Sequence, residues 1–464
     1  MTESKSKAFP YLPHTDKERE EMLRAIGVRT FEELIEQIPA AVRAGTLNIP
    51  EGKSELELTD YLASLAEKNK PASHQKSFLG AGSYRRFVPA ALPVIVNRSE
   101  FATAYTPYQP EVSQGSLQAI YEFQTAICLI TGMEVANASM YDGPTACAEA
   151  ALMACRLTGR KRILVSSAVN PEYRMVTQTY ANSCDLVVDT VECRGGTTGQ
   201  IEAGPDCAAV VVQHPNYFGC LEDLGQIEAS AHKDGALLIV VAEPISLGLL
   251  APPGQFGADI VVGDAQPCGN FLSFGGPSAG FMATRQRFVR QLPGRLAGMT
   301  VDNRGQRAFT LTLQTREQHI RRAKATSNIC TNQALNALSM LVYLTLMGPA
   351  GLREVAEVSV RRAHALAEAL AAIPGVKLRF AEPYFNEFVI DTPEPATQLL
   401  EVLAQRGILG GLALARFYPD MKNSILVSVT EMNSPAELDD YAGELAAVLA
   451  PARNAVAEPE RVKA

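Results

Sequence analysis

The sequence predicts an α/β fold: a mostly parallel sheet with helices on both faces, a helical N-terminal segment and a small α+β C-terminal domain. Three observations carry this. Between 162 and 264, short continuous apolar runs ("RILVSSAV", "CDLVVDTVE", "CAAVVVQHP", "ALLIVVAEP", "ADIVVGD") alternate with amphipathic helical stretches, the pattern of parallel strands buried on both faces. Upstream, helix-start signals dominate. Downstream of 326 come long helices and then strand, helix, strand, helix. A chain of 464 residues is too long for one simple core. The expected division is a helical segment at 1–75, a large α/β domain at 76–330, a small α+β domain at 331–450 and a tail at 451–464.

In the first quarter, Thr15 with Glu18, Thr30 with Glu33 and Ser54 with Glu57 have capping-box spacing before apolar-periodic runs. "SQGSLQAIYEFQTAICLITG", 113–132, is a helix stopped by Gly132. A second helix follows the Gly143-Pro144 turn, with Asp142 or Thr145 as its cap. "PEYRMVTQTYAN" and "LGQIEASAHKDG" are the helices between strands. "TNQALNALSMLVYLTLMG" and "GLREVAEVSVRRAHALAEALAAIPG" are two long helices, and "QTREQHIRRAK" is a charged one carrying His319.

Composition narrows the function. Apolar residues make up 47%, charged residues 20%, and the net charge is −8 with both signs interspersed. That leaves no electrostatic footprint for nucleic acid or an anionic membrane. The start has no apolar signal core, and no apolar run approaches bilayer-spanning length. The nine cysteines are scattered, several inside apolar runs, without CxxC. His214 and Cys220 match no zinc spacing. A cytoplasmic protein with buried thiols and no metal is expected.

"VVGDAQPCGNFLSFGGPSAG", 261–280, reads as a strand, a small-residue loop and a return to apolar chain. No lysine occurs between Lys233 and Lys324. "LLIVVAEP" ends a strand with Glu243, and "YDGPTACAEA" starts a helix with Asp142, whose charge opposes an anion there.

The layout resembles the fold type I enzymes dependent on pyridoxal 5'-phosphate. In detail, "YLPHTDKEREEMLRAIGV", "AYTPYQPEVSQGSLQAIYEFQ", "SFGGPSAGFMATR", "RQLPGRLAGMTVD" and "LTLQTREQHIRRAKATSNICTNQAL" resemble the P-protein of the glycine cleavage system, specifically its N-terminal half, which many bacteria make as a separate subunit. The resemblance covers nearly the whole chain up to the tail. It implies glycine decarboxylation by a heteromer, with the aminomethyl group passed to the lipoyl arm of H-protein. The pyridoxal 5'-phosphate would be bound covalently by a lysine of the partner, P-protein subunit 2, in a heterotetramer. No residue of this chain alone would then be catalytic.

The resemblance also implies cross-interface roles. Tyr105, Thr106, Tyr108, Gln109 and Glu111, held rigid by two prolines, would complete the partner's pocket; otherwise they form a linker capped by Ser113. Ser83 and Tyr84, after a glycine turn, would lie near the interface, and Arg85 with Arg86 is either a carboxylate site or a solvated pair. Thr326, Ser327 and Asn328, read as a helix start, would hold the partner's cofactor phosphate or simply cap the helix. The charged helix is a solvated face or a landing surface for an acidic carrier domain. His214, at a strand end, is a weak candidate for the cofactor site. Two other readings stay open. One is a self-sufficient aminotransferase- or desulfurase-type enzyme using Lys324 or Lys233. The other is a non-catalytic scaffold.

Overall fold

The structure, a computed structural model, describes residues 13–43, 48–50, 52–71, 74–103 and 105–450. The expected tail at 451–464 lies outside the described residues. The chain divides into two units, 1–70 and 71–464.

In the first unit, α1 (Asp16–Ile26) and α2 (Glu55–Ala66) begin at full capping boxes. Thr15 and Ser54 accept from the Glu18 and Glu57 amides, and each glutamate accepts from the cap amide in return. Thr30 caps the single turn Phe31–Leu34, but Glu33 turns its carboxylate to the Arg29 amide, so this box is half formed.

The second unit is built on a seven-stranded sheet. Its strands are β1 (Val135–Ala136), β2 (Arg162–Ser166), β3 (Val187–Val191), β4 (Cys207–His214), β5 (Leu237–Ala242), β6 (Ile260–Asp264) and β7 (Gly280–Thr284). The order is β1-β7-β6-β5-β4-β2-β3. β6, β5, β4, β2 and β3 run parallel, and β7 is antiparallel to β6 and to β1. The apolar runs are continuous because alternate residues serve two cores. Leu164, Val210, Val212, Leu238, Val240 and Val261 face one side, with Phe123 and Ile127 of α3 (Gln114–Thr131). Ile163, Val165, Ala209, Val211, Ile239, Val241 and Val262 face the other, with Ala150 and Met153 of α4 (Gly143–Thr158) and Tyr173 of α5 (Pro171–Asn182). Each such buried aliphatic side chain contributes about 1.5–3 kcal/mol of transfer free energy. α6 (Leu224–Lys233) packs Leu224 and Ile227 into the first core. α3 stops at Gly132, φ 69°, as expected.

β8 (Leu296–Val301) and β9 (Arg307–Thr312) form an antiparallel hairpin that the sequence reading lacked. Next, the expected charged helix over 314–324 is not one helix. Leu313 (φ 52°) and Arg322 (φ 54°) break it into the turn Gln314–Arg316, the short helix Gln318–Arg321 and the turn Arg322–Lys324. Thr326, Ser327 and Asn328 likewise do not start a helix. They lie in irregular chain, and α7 (Ala334–Ala371) starts only at Ala334 with Gln333 as its cap.

α7 absorbs both long helices expected after 331. It bends at Gly348 (φ 60°) ahead of Pro349, since proline cannot donate into the helix ladder. It is also the one described helix long and apolar enough to cross a membrane, correcting the reading that no such run exists. Here, however, Leu341 and Tyr343 pack on the sheet, and Leu366 and Leu370 in the small domain. That domain comprises β10 (Lys377–Leu378), β11 (Glu387–Asp391), α8 (Ala396–Gln405), β12 (Leu412–Ala413), β13 (Ser424–Ser428) and α9 (Pro435–Leu449). Its sheet is antiparallel in the order β10-β11-β13-β12.

Candidate functional site

Ligands of open α/β sheets gather beyond the carboxyl ends of the parallel strands. Here that crevice is bounded by Asp142 and Pro144 at the start of α4, Asp264 at the end of β6, Tyr173 of α5 and the loop 271–278, around a cleft of about 530 Å³. A helix start in this place suits a phosphate, because its amides point outward unpaired. In this chain they are already taken. Asp142 accepts from the Thr145 amide at 2.8 Å and closes a capping box. Asp264 accepts from the Gly143 amide at 2.9 Å, from the Gln266 amide at 2.8 Å and from the Ser278 hydroxyl. Burial raises the Asp264 carboxyl above its ordinary value, and the three donors partly offset this. A Cβ at Gly143 would overlap the Tyr173 hydroxyl, so the tyrosine packs directly against the start of α4.

The remaining requirements of a pyridoxal phosphate site are unmet as well. No lysine stands between Lys233 and Lys324. Glu243, just beyond β5, accepts from the Ser246 amide at 2.6 Å and lies 3.9 Å from Arg86. The deeper cavity bounded by Tyr84, Tyr173, Gln213, Glu243 and Asp264 measures about 30 Å³, room for roughly two waters. The cofactor does not fit this chain's own cleft. Among the described residues no group of His, Cys, Asp and Glu side chains is arranged for a metal.

The residues expected to face outward meet on another surface. Tyr105 is 77% exposed and Tyr108 66%; Gln109 and Glu111 are exposed too, whereas Thr106 is half-buried. Tyr105 and Pro107 share an apolar groove with Ala334, Leu335 and Leu338, which places them beside the first turns of α7, just downstream of the irregular chain 325–333. That irregular chain is pinned along its length. The Thr326 amide donates to Arg316 O at 3.0 Å. The Ser327 hydroxyl donates to Glu149 of α4 at 2.7 Å, a carboxyl raised by burial whose other oxygen has no partner. The Cys330 amide donates to the Tyr141 hydroxyl at 3.0 Å, and the Gln333 amide to Ser139 at 3.1 Å. Asn328 is exposed. Arg316 holds the preceding turn by donating to the carbonyls of Leu292, Leu313 and Gly294.

Ser83 lines the cleft and is exposed, but Tyr84 turns inward. Its hydroxyl donates to Glu387 of β11 at 2.8 Å, and its backbone pairs with the Gln266 side chain. Arg86 is buried against Glu431 at 2.8 Å and Ser359, not a solvated pair with Arg85. The 81–87 strap therefore stitches the sheet domain to the small domain. Burial pushes Glu387 up to about 7. His214 is buried and lowered to about 4 by desolvation, with Nδ1 accepting from the Glu222 amide at 3.1 Å; it braces a turn.

Asp264, Tyr173, Ser139, Tyr141, Glu149 and Arg295 were not singled out from sequence. Asp264 was legible as an acid ending a buried strand. The others bear on the site through contacts distant in sequence.

The glycine cleavage system P-protein family matches residues 10–445. A probable glycine dehydrogenase (decarboxylating) subunit 1 of Bacillus mycoides (strain KBAB4) is 50% identical over 443 residues, covering 94% of this chain and 99% of the relative. The protein of the same name from Anoxybacillus flavithermus (strain DSM 21510 / WK1) is 49% identical over 440 residues, covering 94% and 98%. The crystal structure of a glycine decarboxylase (P-protein) of the glycine cleavage system, in inhibitor-bound form, superposes with a TM-score of 0.89 at 47% identity, over 95% of this chain and 100% of that one. A sphingosine-1-phosphate lyase of Burkholderia pseudomallei K96243 shares the fold alone, with a TM-score of 0.62 at 15% identity over 88% and 93%.

Proposed function

The chain belongs to the glycine cleavage system P-protein family, and from that premise we propose that it is subunit 1 of a two-chain glycine decarboxylase (aminomethyl-transferring glycine dehydrogenase). In this reading the enzyme takes glycine, releases CO2 and passes the aminomethyl group to the lipoyl arm of H-protein. The partner, subunit 2, holds pyridoxal 5'-phosphate covalently and with it the electron sink that decarboxylation of an amino acid needs. The pair assembles as a heterotetramer in the cytoplasm, where nine unpaired thiols stay reduced.

This chain's contribution is a wall. Tyr105, Tyr108, Gln109 and Glu111 present a rigid aromatic and polar surface to the partner's pocket and keep water from a small substrate. Thr106 and Ser83 support its edges. Thr326 and Asn328 offer donors to the cofactor phosphate across the interface, while Ser327, committed to Glu149, anchors their irregular chain. Tyr84 serves indirectly, by fixing the strap beside Ser83.

One observation carries the reading: the place where the fold would hold the cofactor is closed by the chain's own carboxylates. Co-expression with subunit 2 tests it. Glycine-dependent exchange of CO2 with bicarbonate should need both chains, and exchange by subunit 2 alone at the full rate would sink the proposal.

A further inference from the structure

Arg295 immediately precedes β8 and is buried, 6% exposed. It spends its donors on uncharged acceptors: Nη2 donates to Cys330 O at 3.0 Å and Nη1 to Asn332 Oδ1 at 3.3 Å. On its other side the guanidinium lies 6.0 Å from the centre of the Tyr108 ring. Its own carbonyl accepts from the Ala138 amide at 2.9 Å, and Asn332 Nδ2 donates to Ala138 O at 3.0 Å. One planar cation thus reaches both the 105–111 turn and the irregular chain just downstream of Thr326–Asn328, and Ala138 braces both the arginine and Asn332.

We propose that Arg295 is a positioning residue of the decarboxylase, setting the distance between the Tyr108 ring and the irregular chain that carries Thr326 and Asn328. The inference rests on the pocket-completing reading above. A guanidinium suits the task, because its rigid fork fixes two acceptors at once while its flat face stacks on an aromatic ring. Lysine keeps the charge and loses the fork. Removing Arg295 frees Tyr108, which is two-thirds exposed and has no other aromatic or cationic neighbour among the described residues. It also releases the Cys330 carbonyl and the Asn332 side-chain oxygen, removing the ties between the 330–332 chain and the start of β8 while its other hydrogen bonds remain.

The test uses Arg295→Met, Arg295→Lys, Tyr108→Leu and the double variant Arg295→Met with Tyr108→Leu. In the chain alone, alkylation of exposed Cys330 should speed up several-fold in Arg295→Met, while exposed Cys184, on another part of the fold, keeps its rate. In the assembled enzyme, Arg295→Met should change kcat or KM for glycine by about tenfold, the loss of one to two charge-assisted contacts. Arg295→Lys should fall between it and the wild type, and the double variant should be little worse than Tyr108→Leu alone. Unchanged kcat and KM in Arg295→Met, or effects that simply add, overturn the proposal. If Tyr108→Leu impairs the enzyme and Arg295→Met does not, this inference fails and the pocket-completing reading stands; if neither does, both fail. Should Arg295→Met not fold, Arg295→Lys decides: full activity refutes the role, and a loss not additive with Tyr108→Leu supports it.

Discussion

The Gly143 amide donates to Oδ2 of Asp264 across 2.9 Å, so a carboxylate at the end of β6 closes the first turn of α4. Asp142 does the same one step along, from within the turn. The helix start that could cradle a phosphate is satisfied from inside the chain, and an incoming anion would meet two carboxylates at short range.

Asp264→Ser therefore orphans at least one amide. It should destabilise the chain by about 1–3 kcal/mol, the desolvation cost of an unpaired buried donor. The same variant should gain thermal stability from added inorganic phosphate where the wild type gains none. Thermal unfolding with and without phosphate checks both. Equal phosphate responses would mean that Asp264 does not guard the turn.

Glu387 should make stability depend on pH. Its folded value is about 7 against an ordinary 4.5, chiefly through burial. The folded chain binds this proton more tightly than the unfolded chain, so stability is fullest below about pH 4.5 and falls as pH rises to about 7. The group's share of that loss is about 3 kcal/mol. In Glu387→Gln the Tyr84 hydroxyl can still pair, and most of this slope should vanish. Urea unfolding at both ends of the window measures it.

His214 acts in the opposite sense. Burial lowers it to about 4 from 6.5, so its contribution is intact above pH 6.5 and is lost as pH falls toward 4. His214→Asn supplies an acceptor to the Glu222 amide that does not titrate. It should flatten unfolding free energy on the acid side, and an unchanged acid limb would rule out His214 as the source.

The outward surface should matter only with the partner present. Tyr108→Ala and Thr326→Ala should leave the melting temperature of the isolated chain within a few degrees, because Tyr108 is exposed and Thr326 is held through its backbone amide. In the assembled enzyme, each should reduce glycine-dependent exchange about tenfold or more, as expected when a group touching the reacting complex is lost. Normal exchange in both variants would remove the pocket-completing role.

The legible parts of the fold were those written locally. The runs that became β2, β4, β5 and β6 could be read because burial on both faces leaves each strand almost continuously apolar, and the Thr15, Ser54 and Gly132 signals act within a few residues. The β8–β9 hairpin is not legible although Gly305 (φ 76°) lies between its two runs, because both runs mix polar and small residues and are half exposed, so neither carries the apolar signature of a buried strand. The 314–324 stretch has helical composition, but Arg316 is drawn into the carbonyls of residues 292 and 294 and overrides it. Tyr84 looked like an interface residue because its partner Glu387 lies 303 residues away. For the site, the absence of a lysine was plain; what took the anion's place, Asp264 against Gly143, required the fold.

The most direct measurement is borohydride fixation of pyridoxal phosphate followed by peptide mass mapping, on this chain alone and on its complex with subunit 2. The account predicts no pyridoxyl-lysine on this chain in either sample and one on the partner in the complex. A stoichiometric adduct at Lys233 or Lys324, together with glycine turnover by the isolated chain, would contradict it.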